Sequence, residues 1–139
     1  MSERRFIYLL WVGFFISIYD SKETGKEIEM TNEFFKIVVE RRVNTCKGVL
    51  IEKAKEYARG DRLSNFKKAS GAMSCTPEKA LIGMLMKHII SIVDMVDDID
   101  KEQLASRAVW DEKLGDAINY LILLDGLITE RIDDKKDIK

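Results

Sequence analysis

The sequence contains little of several residue types, and each shortage excludes a class of protein. Its 139 residues include one Pro, eight Gly, two Cys and one His. So little Pro and Gly excludes collagen-like and low-complexity chains, and two Cys are too few for a small domain held together by disulfides. Neither Cys has the spacing of a zinc site. We expect Cys46 and Cys75 to be free thiols of a cytoplasmic protein.

An excess of charge of one sign is also missing. The chain has 23 Lys and Arg against 24 Asp and Glu, which argues against a protein whose whole surface binds nucleic acid. The charge is nevertheless unevenly distributed. Residues 31–76 hold ten Lys and Arg against five Asp and Glu, whereas residues 77–139 hold nine against fourteen. A basic segment beside an acidic one is what a phosphate-bearing ligand requires, although solvated helix faces produce the same pattern.

The sequence lacks a hydrophobic run of membrane-spanning length. Its longest uncharged run, residues 6–19, is shorter than the ~20 residues that a spanning helix needs. Turn-forming residues at 20–25 follow it, which favours a β-hairpin packed on the rest of the chain. An apolar appendage that mediates dimerisation and a membrane anchor are the alternatives. We divide the chain into this N-terminal hairpin or appendage, residues 1–29, and an all-α domain, residues 30–139.

The remaining sequence predicts a helical bundle of three long helices and one or two short ones. Gly60 is typical of a helix end, Ser64 of a helix start, and Thr76 followed by Pro77 of another helix start. The helix that begins at Pro77 is apolar on almost its whole circumference, so we expect it to be the most buried. The predicted helices cover residues 33–59, 64–71, 77–96 and 107–132.

The apolar surface of these helices exceeds what one chain of this length buries comfortably. We therefore expect a homo-oligomer, most simply a dimer.

Polar side chains form one stripe on each of the last two long helices. Lys87, Ser91, Asp94 and Asp98 lie at i, i+4, i+7 and i+11, with His88 beside them. Buried carboxylates are costly unless cations or hydrogen bonds compensate them. The stripes therefore predict either a Mg²⁺ site or a salt-bridged layer, with a solvent-facing stripe as the third possibility. The stripe on the last helix consists of Glu112, Asp116 and Asn119.

Two short motifs carry a resemblance to a known family. Residues 111–121 resemble the last motif helix of the all-α, MazG-like nucleoside triphosphate pyrophosphohydrolases. Residues 53–57 and 63–66 are similar to a Lys-x-x-acid-Tyr and Asn-Phe pattern in small phage domains associated with nucleotide modification. Asp116 matches the final Asp of the family's Glu-x-x-Asp. Lys113 stands at the position of the family's Glu, and the acid Glu112 lies one residue earlier. The family's Glu-Glu-x-x-Glu is missing from the sequence.

This resemblance implies a nucleotide-pool protein of phage or prophage type. Its activity would be that of a Mg²⁺-dependent nucleoside triphosphate pyrophosphohydrolase, with a homo-oligomeric assembly and no specific nucleic-acid or membrane partner. The alternative is a non-catalytic protein that binds a nucleotide or a host protein on the same scaffold. Predicted catalytic and metal-binding residues are Asp94, Glu112 and Asp116. Predicted substrate-binding residues are Lys53, Glu56, Tyr57, Arg62, Asn65, Lys87, His88 and Asn119.

Overall fold

The computed structural model describes residues 29–56 and 60–136 and confirms the all-α class. Within these ranges there are three long helices, one short helix and no strand. No helix in these two ranges combines the length and the apolar character needed to cross a membrane. The predicted N-terminal hairpin lies outside the described residues, apart from Glu29. The helices are α1 (Asn32–Glu56), α2 (Ser64–Met73), α3 (Pro77–Ile99) and α4 (Arg107–Lys136).

The chain divides into two units, Met1–Ile37 and Val38–Lys139, and the boundary falls within α1. In the first unit, Oγ1 of Thr31 accepts a hydrogen bond from the backbone N–H of Phe34 at 3.2 Å. This bond satisfies one of the free N–H groups at the start of α1. The second unit contains the rest of α1 and the other three helices.

The loop after α1 begins the part of the chain that shapes the candidate site. Gly60 has a φ of +107°, a left-handed conformation that glycine adopts without steric cost. The next helix does not begin as predicted, because Leu63 occupies the N-cap and Ser64 is already helical. The side chain of Asp61 caps the turn instead, and its Oδ1 accepts a hydrogen bond from the N–H of Leu63 at 2.8 Å. The predicted cap at Ser64 is therefore wrong.

α3 begins where the sequence predicts. Oγ1 of Thr76 accepts a hydrogen bond from the N–H of Lys79 at 3.3 Å, and Pro77 is the first helical residue. The helix continues to Ile99, past the end expected at Val96. Near that end, the Lys101 ammonium donates a hydrogen bond to Asp98 at 2.9 Å. This contact offsets the carboxylate at the negative end of the helix.

A turn at residues 100–102 begins the connection between α3 and α4. Within it, Glu102 has a φ of +59°. α4 then starts after Ser106, whose Oγ accepts a hydrogen bond from the N–H of Val109 at 3.5 Å. It runs to Lys136, beyond the expected end at Ile132.

The core joins the three helices of the second unit that follow Gly60. Its buried members are Leu63, Phe66, Leu81 and Leu127, so the loop, α2, α3 and α4 each contribute one side chain. Burial of large apolar side chains here contributes most of the driving force for packing. Around this cluster pack the partly buried side chains of Met84, Tyr120, Leu123 and Leu124.

α3 does not bury its whole circumference. Leu81 and Leu85 are buried, and Ile89 and Ile92 are half-buried, as their periodicity predicts. The opposite side is solvent-exposed, and Ile90 keeps 55% of its surface. Within the described residues, α3 therefore buries one side of its apolar circumference and leaves the other side exposed. The exposed apolar side chains of α3 are Ile82, Met86, Ile90, Val93, Val96 and Ile99.

An arginine holds α1 against α4. Nη2 of Arg42 donates a hydrogen bond to Oδ1 of Asp111 at 2.8 Å, and Nη1 donates to the backbone carbonyl of Asp111 at 2.9 Å. One turn further along α4, Gly115 leaves room for the guanidinium, since a Cβ there would lie 3.2 Å from Nη1. This contact fixes the position of α1 and therefore of the lysine in its last turn.

Candidate functional site

A cavity of about 300 Å³ lies where all four helices meet. Ligand pockets in proteins combine an apolar wall with a few polar groups that fix orientation, and this cavity has that composition. Its apolar lining consists of Val49, Leu50, Phe66, Met84 and Leu123. Its polar lining consists of Lys53, Arg62, Asn65, Asp116, Asn119 and Tyr120.

The polar lining includes five of the predicted site residues. Lys53 comes from the last turn of α1, Arg62 from the following loop and Asn65 from the first turn of α2. Asp116 and Asn119 come from α4, where a spacing of three residues places two side chains on one face. Residues far apart in the sequence therefore meet at one cavity.

Asn119 is the most unusual of these residues. It is only 7% exposed, and its Oδ1 accepts no hydrogen bond from any described residue. A buried acceptor without a donor costs about 1–3 kcal/mol, and such groups are rare in folded proteins. Asn119 is also one of the residues that line the cavity.

Two cations and one carboxylate give the cavity its charge. Lys53 is exposed and forms no ion pair with another described residue. Arg62 is half-buried, and the loop that carries it is fixed by Asp61 and Lys67. Lys67 donates hydrogen bonds to Asp61 at 2.6 Å and contacts Glu130 of α4 at 2.7 Å. The loop is therefore tied to α4 close to the cavity.

These contacts shift the ionisation of the groups that fix the loop. The pKa of Asp61 is lowered, chiefly by the hydrogen bond from Lys67 and then by the bond from the Leu63 N–H. The pKa of Lys67 is raised, chiefly by its hydrogen bond to Asp61 and then by that to Glu130. Both groups therefore remain charged over a wider pH range than they do in solvent.

Asp116 also has a neighbour behind the cavity wall. Its Oδ2 lies 3.6 Å from Nδ1 of His88, which exceeds hydrogen-bond length but allows an ion pair when the imidazole is protonated. The imidazole packs on the ring of Tyr120, with 5.0 Å between centroids, and Phe66 meets the same tyrosine edge-on at 6.2 Å. His88 thus lies next to the cavity through Asp116 and Tyr120.

Three other predicted residues do not line the cavity. Asp94 and Lys87 are exposed on α3 and are not part of its lining. Glu112 is exposed and pairs with Lys113 at 3.0 Å. Glu56 is the last residue of α1, and Tyr57 lies outside the described residues.

The predicted set of three carboxylates does not share one pocket, because only Asp116 lines the cavity. Across residues 29–56 and 60–136, no three His, Cys, Asp or Glu side chains form a group that could hold a metal ion. The donors present at the cavity do not match a site of three carboxylates. Magnesium binding therefore stays a prediction from the sequence.

Tyr120 and the apolar wall of the cavity were not among the residues predicted from the sequence. A signal for Tyr120 exists, because it follows Asp116 by four residues and therefore projects from the same face of α4. The sequence gives no such signal for Met84 and Phe66. Their apolar side chains are typical of core residues, and only the packing of the helices shows that they line a cavity.

Comparison of the chain with protein-family models, with curated proteins and with solved structures finds no match. Membership of the MazG-like superfamily thus stays a prediction based on the motifs at residues 53–66 and 111–121.

Proposed function

We propose that the cavity binds the nucleotide of a nucleotide-pool protein. The observation that carries this proposal is that Asn119 lines a cavity with two cations in its lining and has a buried Oδ1 without a donor among the described residues. An exocyclic amine of a base or a hydroxyl of a sugar would donate to it. Charged hydrogen bonds from Lys53 and Arg62 would hold phosphate oxygens.

The apolar wall supports the same ligand class. Phe66, Met84 and Leu123 offer a surface for the flat face of a base, whereas an inorganic anion alone would gain nothing from it. The volume of about 300 Å³ lies at the lower end of the range for small-molecule sites. The ligand that fits this chemistry has a base or sugar inside and phosphates towards Lys53.

We propose hydrolysis of the bound nucleotide only on the basis of the resemblance to the MazG-like family. Mg²⁺ generally uses one or two protein carboxylates together with the phosphates of its substrate. Asp116 is the carboxylate at the cavity that is available for this role. The other two predicted acids, Asp94 and Glu112, do not line the cavity.

The test is isothermal titration calorimetry of the full chain with deoxynucleoside triphosphates and with the corresponding nucleosides. We expect binding of at least one triphosphate, and Lys53→Ala to weaken it about tenfold through loss of a charge-assisted contact. Lys55→Ala is the matched control, since Lys55 lies in the same turn of α1 but does not line the cavity. It should change the affinity less than about twofold.

Titrations with added Mg²⁺ and with a chelator separate a metal-assisted complex from a metal-free one. Product analysis of the same mixtures measures release of pyrophosphate, and Asp116→Asn should abolish that release if hydrolysis occurs. Lack of binding by every triphosphate would contradict the proposal and favour the alternative of a host-protein-binding scaffold. Equal loss in Lys53→Ala and Lys55→Ala would contradict the placement of phosphates at the cavity.

A further inference from the structure

α3 has a stripe of apolar side chains that the described residues of the chain leave uncovered. The α3 stripe consists of Ile82, Met86, Ile90 and Val93, all of which are exposed. Their spacings of four, four and three residues place them on one face of the helix. A continuous exposed apolar face of this kind marks an interaction surface.

The charged residues near the stripe are separated by sign along α3. Lys79 and Lys87 stand on the half of α3 nearer its N-terminus, whereas Asp94 and Asp97 stand on the other half. Lys87 and Asp94 are seven residues apart, so they lie along the same edge of the stripe. Both are exposed, and neither forms an ion pair with another described residue.

From this juxtaposition we infer that the α3 stripe is the interface of a homodimer in which two copies of α3 pack antiparallel. With the twofold axis near Ile90, Met86 of one copy packs against Val93 of the other. Lys87 of one copy then faces Asp94 of the other, and the symmetry repeats this contact. Lys79 lies within about one helical turn of the second copy's Asp97.

Charge complementarity selects both the partner and the orientation. In an antiparallel pair the same edges of the two stripes face each other, so Lys87 meets Asp94, whereas in a parallel pair each edge faces the opposite edge of the second copy and Lys87 does not meet Asp94. An antiparallel second copy supplies the opposite charge at every one of these positions. The helix is thus complementary to itself in one direction only, which a surface for an unrelated partner does not require.

This interface also accounts for residues that the candidate site leaves unused. Lys87 and Asp94 belong to the polar stripe of the central helix but do not line the cavity. Lys87 and Asp94 lie beside exposed apolar side chains. In the dimer they are charges at the rim of the interface, and they set the orientation of the two copies.

The first experiment is sedimentation velocity on the full chain at tens of micromolar. We expect a mass of about twice the 16.0 kDa of one chain. Ile90→Glu and Val93→Glu each place a carboxylate in the centre of the α3 stripe, at exposed positions where the monomer fold tolerates it, and should give a mass of 16.0 kDa. Leu104→Glu, a change at the most exposed apolar residue of the α3–α4 turn, is the control and should remain dimeric.

The second experiment tests the orientation. Lys87→Glu and Asp94→Lys should each raise the dimer dissociation constant about tenfold, because each change turns two attractive contacts into repulsive ones. The double variant with both changes should return to within about threefold of the wild type. In a parallel dimer the single variants would leave the affinity nearly unchanged, because Lys87 and Asp94 of the two copies do not face each other there.

A monomeric wild type would overturn the proposal. So would a dimer that survives both Ile90→Glu and Val93→Glu, since its interface would lie elsewhere, and so would a double variant that fails to recover. None of these readouts depends on nucleotide binding, so the dimer and the function of the cavity are tested separately.

Discussion

Arg131 donates hydrogen bonds to both carboxylate oxygens of Glu78, from Nε at 2.7 Å and from Nη2 at 2.9 Å. The pair joins the first turn of α3 to α4. Because the hydrogen bond from Arg131 favours the charged carboxylate, it lowers the pKa of Glu78 from 4.5 to about 2, with smaller contributions from backbone and Thr76 hydrogen bonds.

This pair predicts a stability that depends on pH. Since half of the Arg131 side chain is exposed, solvent screens the interaction, and Glu78→Gln should lower the free energy of unfolding at pH 7 by about 1–2 kcal/mol. A lowered carboxyl pKa stabilises the fold above the unfolded value, and the stabilisation disappears as the pH falls from 4.5 towards 2. Urea denaturation at pH 7 and pH 2 measures the difference, with Arg131→Gln as the reciprocal variant. A difference that persists at pH 2 would contradict this account.

Asp111 gives a second prediction, because three arginines surround its carboxylate. Arg41, Arg42 and Arg107 approach its oxygens at 3.4, 2.8 and 2.9 Å. Asp111→Asn should lower the free energy of unfolding by about 2 kcal/mol, since it removes the counter-charge of the mostly buried Arg42 guanidinium. Glu112→Gln is the adjacent control and should cost less than about 0.5 kcal/mol, because Glu112 is exposed. Chemical denaturation compares the two, and equal losses would show that Asp111 does not hold α1 to α4.

Leu81 is the fully buried side chain at the centre of the core. Leu81→Ala should therefore lower the free energy of unfolding by about 3 kcal/mol, through lost apolar burial and the cavity left behind. The same truncation at Leu104, which is 72% exposed, should cost less than about 0.5 kcal/mol. Thermal or urea unfolding distinguishes them, and similar midpoints would contradict the assignment of the core.

Lys67 links the loop of Arg62 to α4, so its removal should affect the ligand more than the fold. Lys67→Met breaks the contacts with Asp61 and Glu130. Because these pairs are exposed, the loss of stability should stay below about 1 kcal/mol. Nucleotide affinity, measured by calorimetry, should fall several-fold as Arg62 loses its fixed position. Lys68→Met, a change at the exposed neighbour, should leave the affinity unchanged, and equal effects in both variants would contradict a positioning role.

The helices were predictable because their signals are local. Thr76 and Pro77 define the start of α3 through a hydrogen bond and a fixed φ that depend on adjacent residues only. The start of α2 was not predictable in the same way. There Leu63 occupies the N-cap position expected for Ser64, and the Asp61 carboxylate accepts a hydrogen bond from the Leu63 N–H in the loop after Gly60.

The candidate site was half predictable for a related reason. Periodicity identifies side chains that share a helix face, so it correctly grouped Asp116 with Asn119. It does not say which face of α3 turns inward, because that helix is apolar on both sides. The polar residue that meets Asp116 is His88, and the predicted ligand Asp94 faces solvent instead. Only tertiary packing decides between these two faces.

The most direct test of the central claim is urea denaturation of the wild type and of Asn119→Leu, each with and without a deoxynucleoside triphosphate. We predict that the unliganded variant is as stable as the wild type or about 1 kcal/mol more stable, because the change removes a buried acceptor that has no donor. We also predict that the triphosphate, at 100 times its dissociation constant, raises the wild-type free energy of unfolding by about 2.7 kcal/mol and leaves the variant nearly unchanged. A variant that is clearly destabilised without ligand but still fully stabilised by the triphosphate would contradict the assignment of Asn119 to ligand binding.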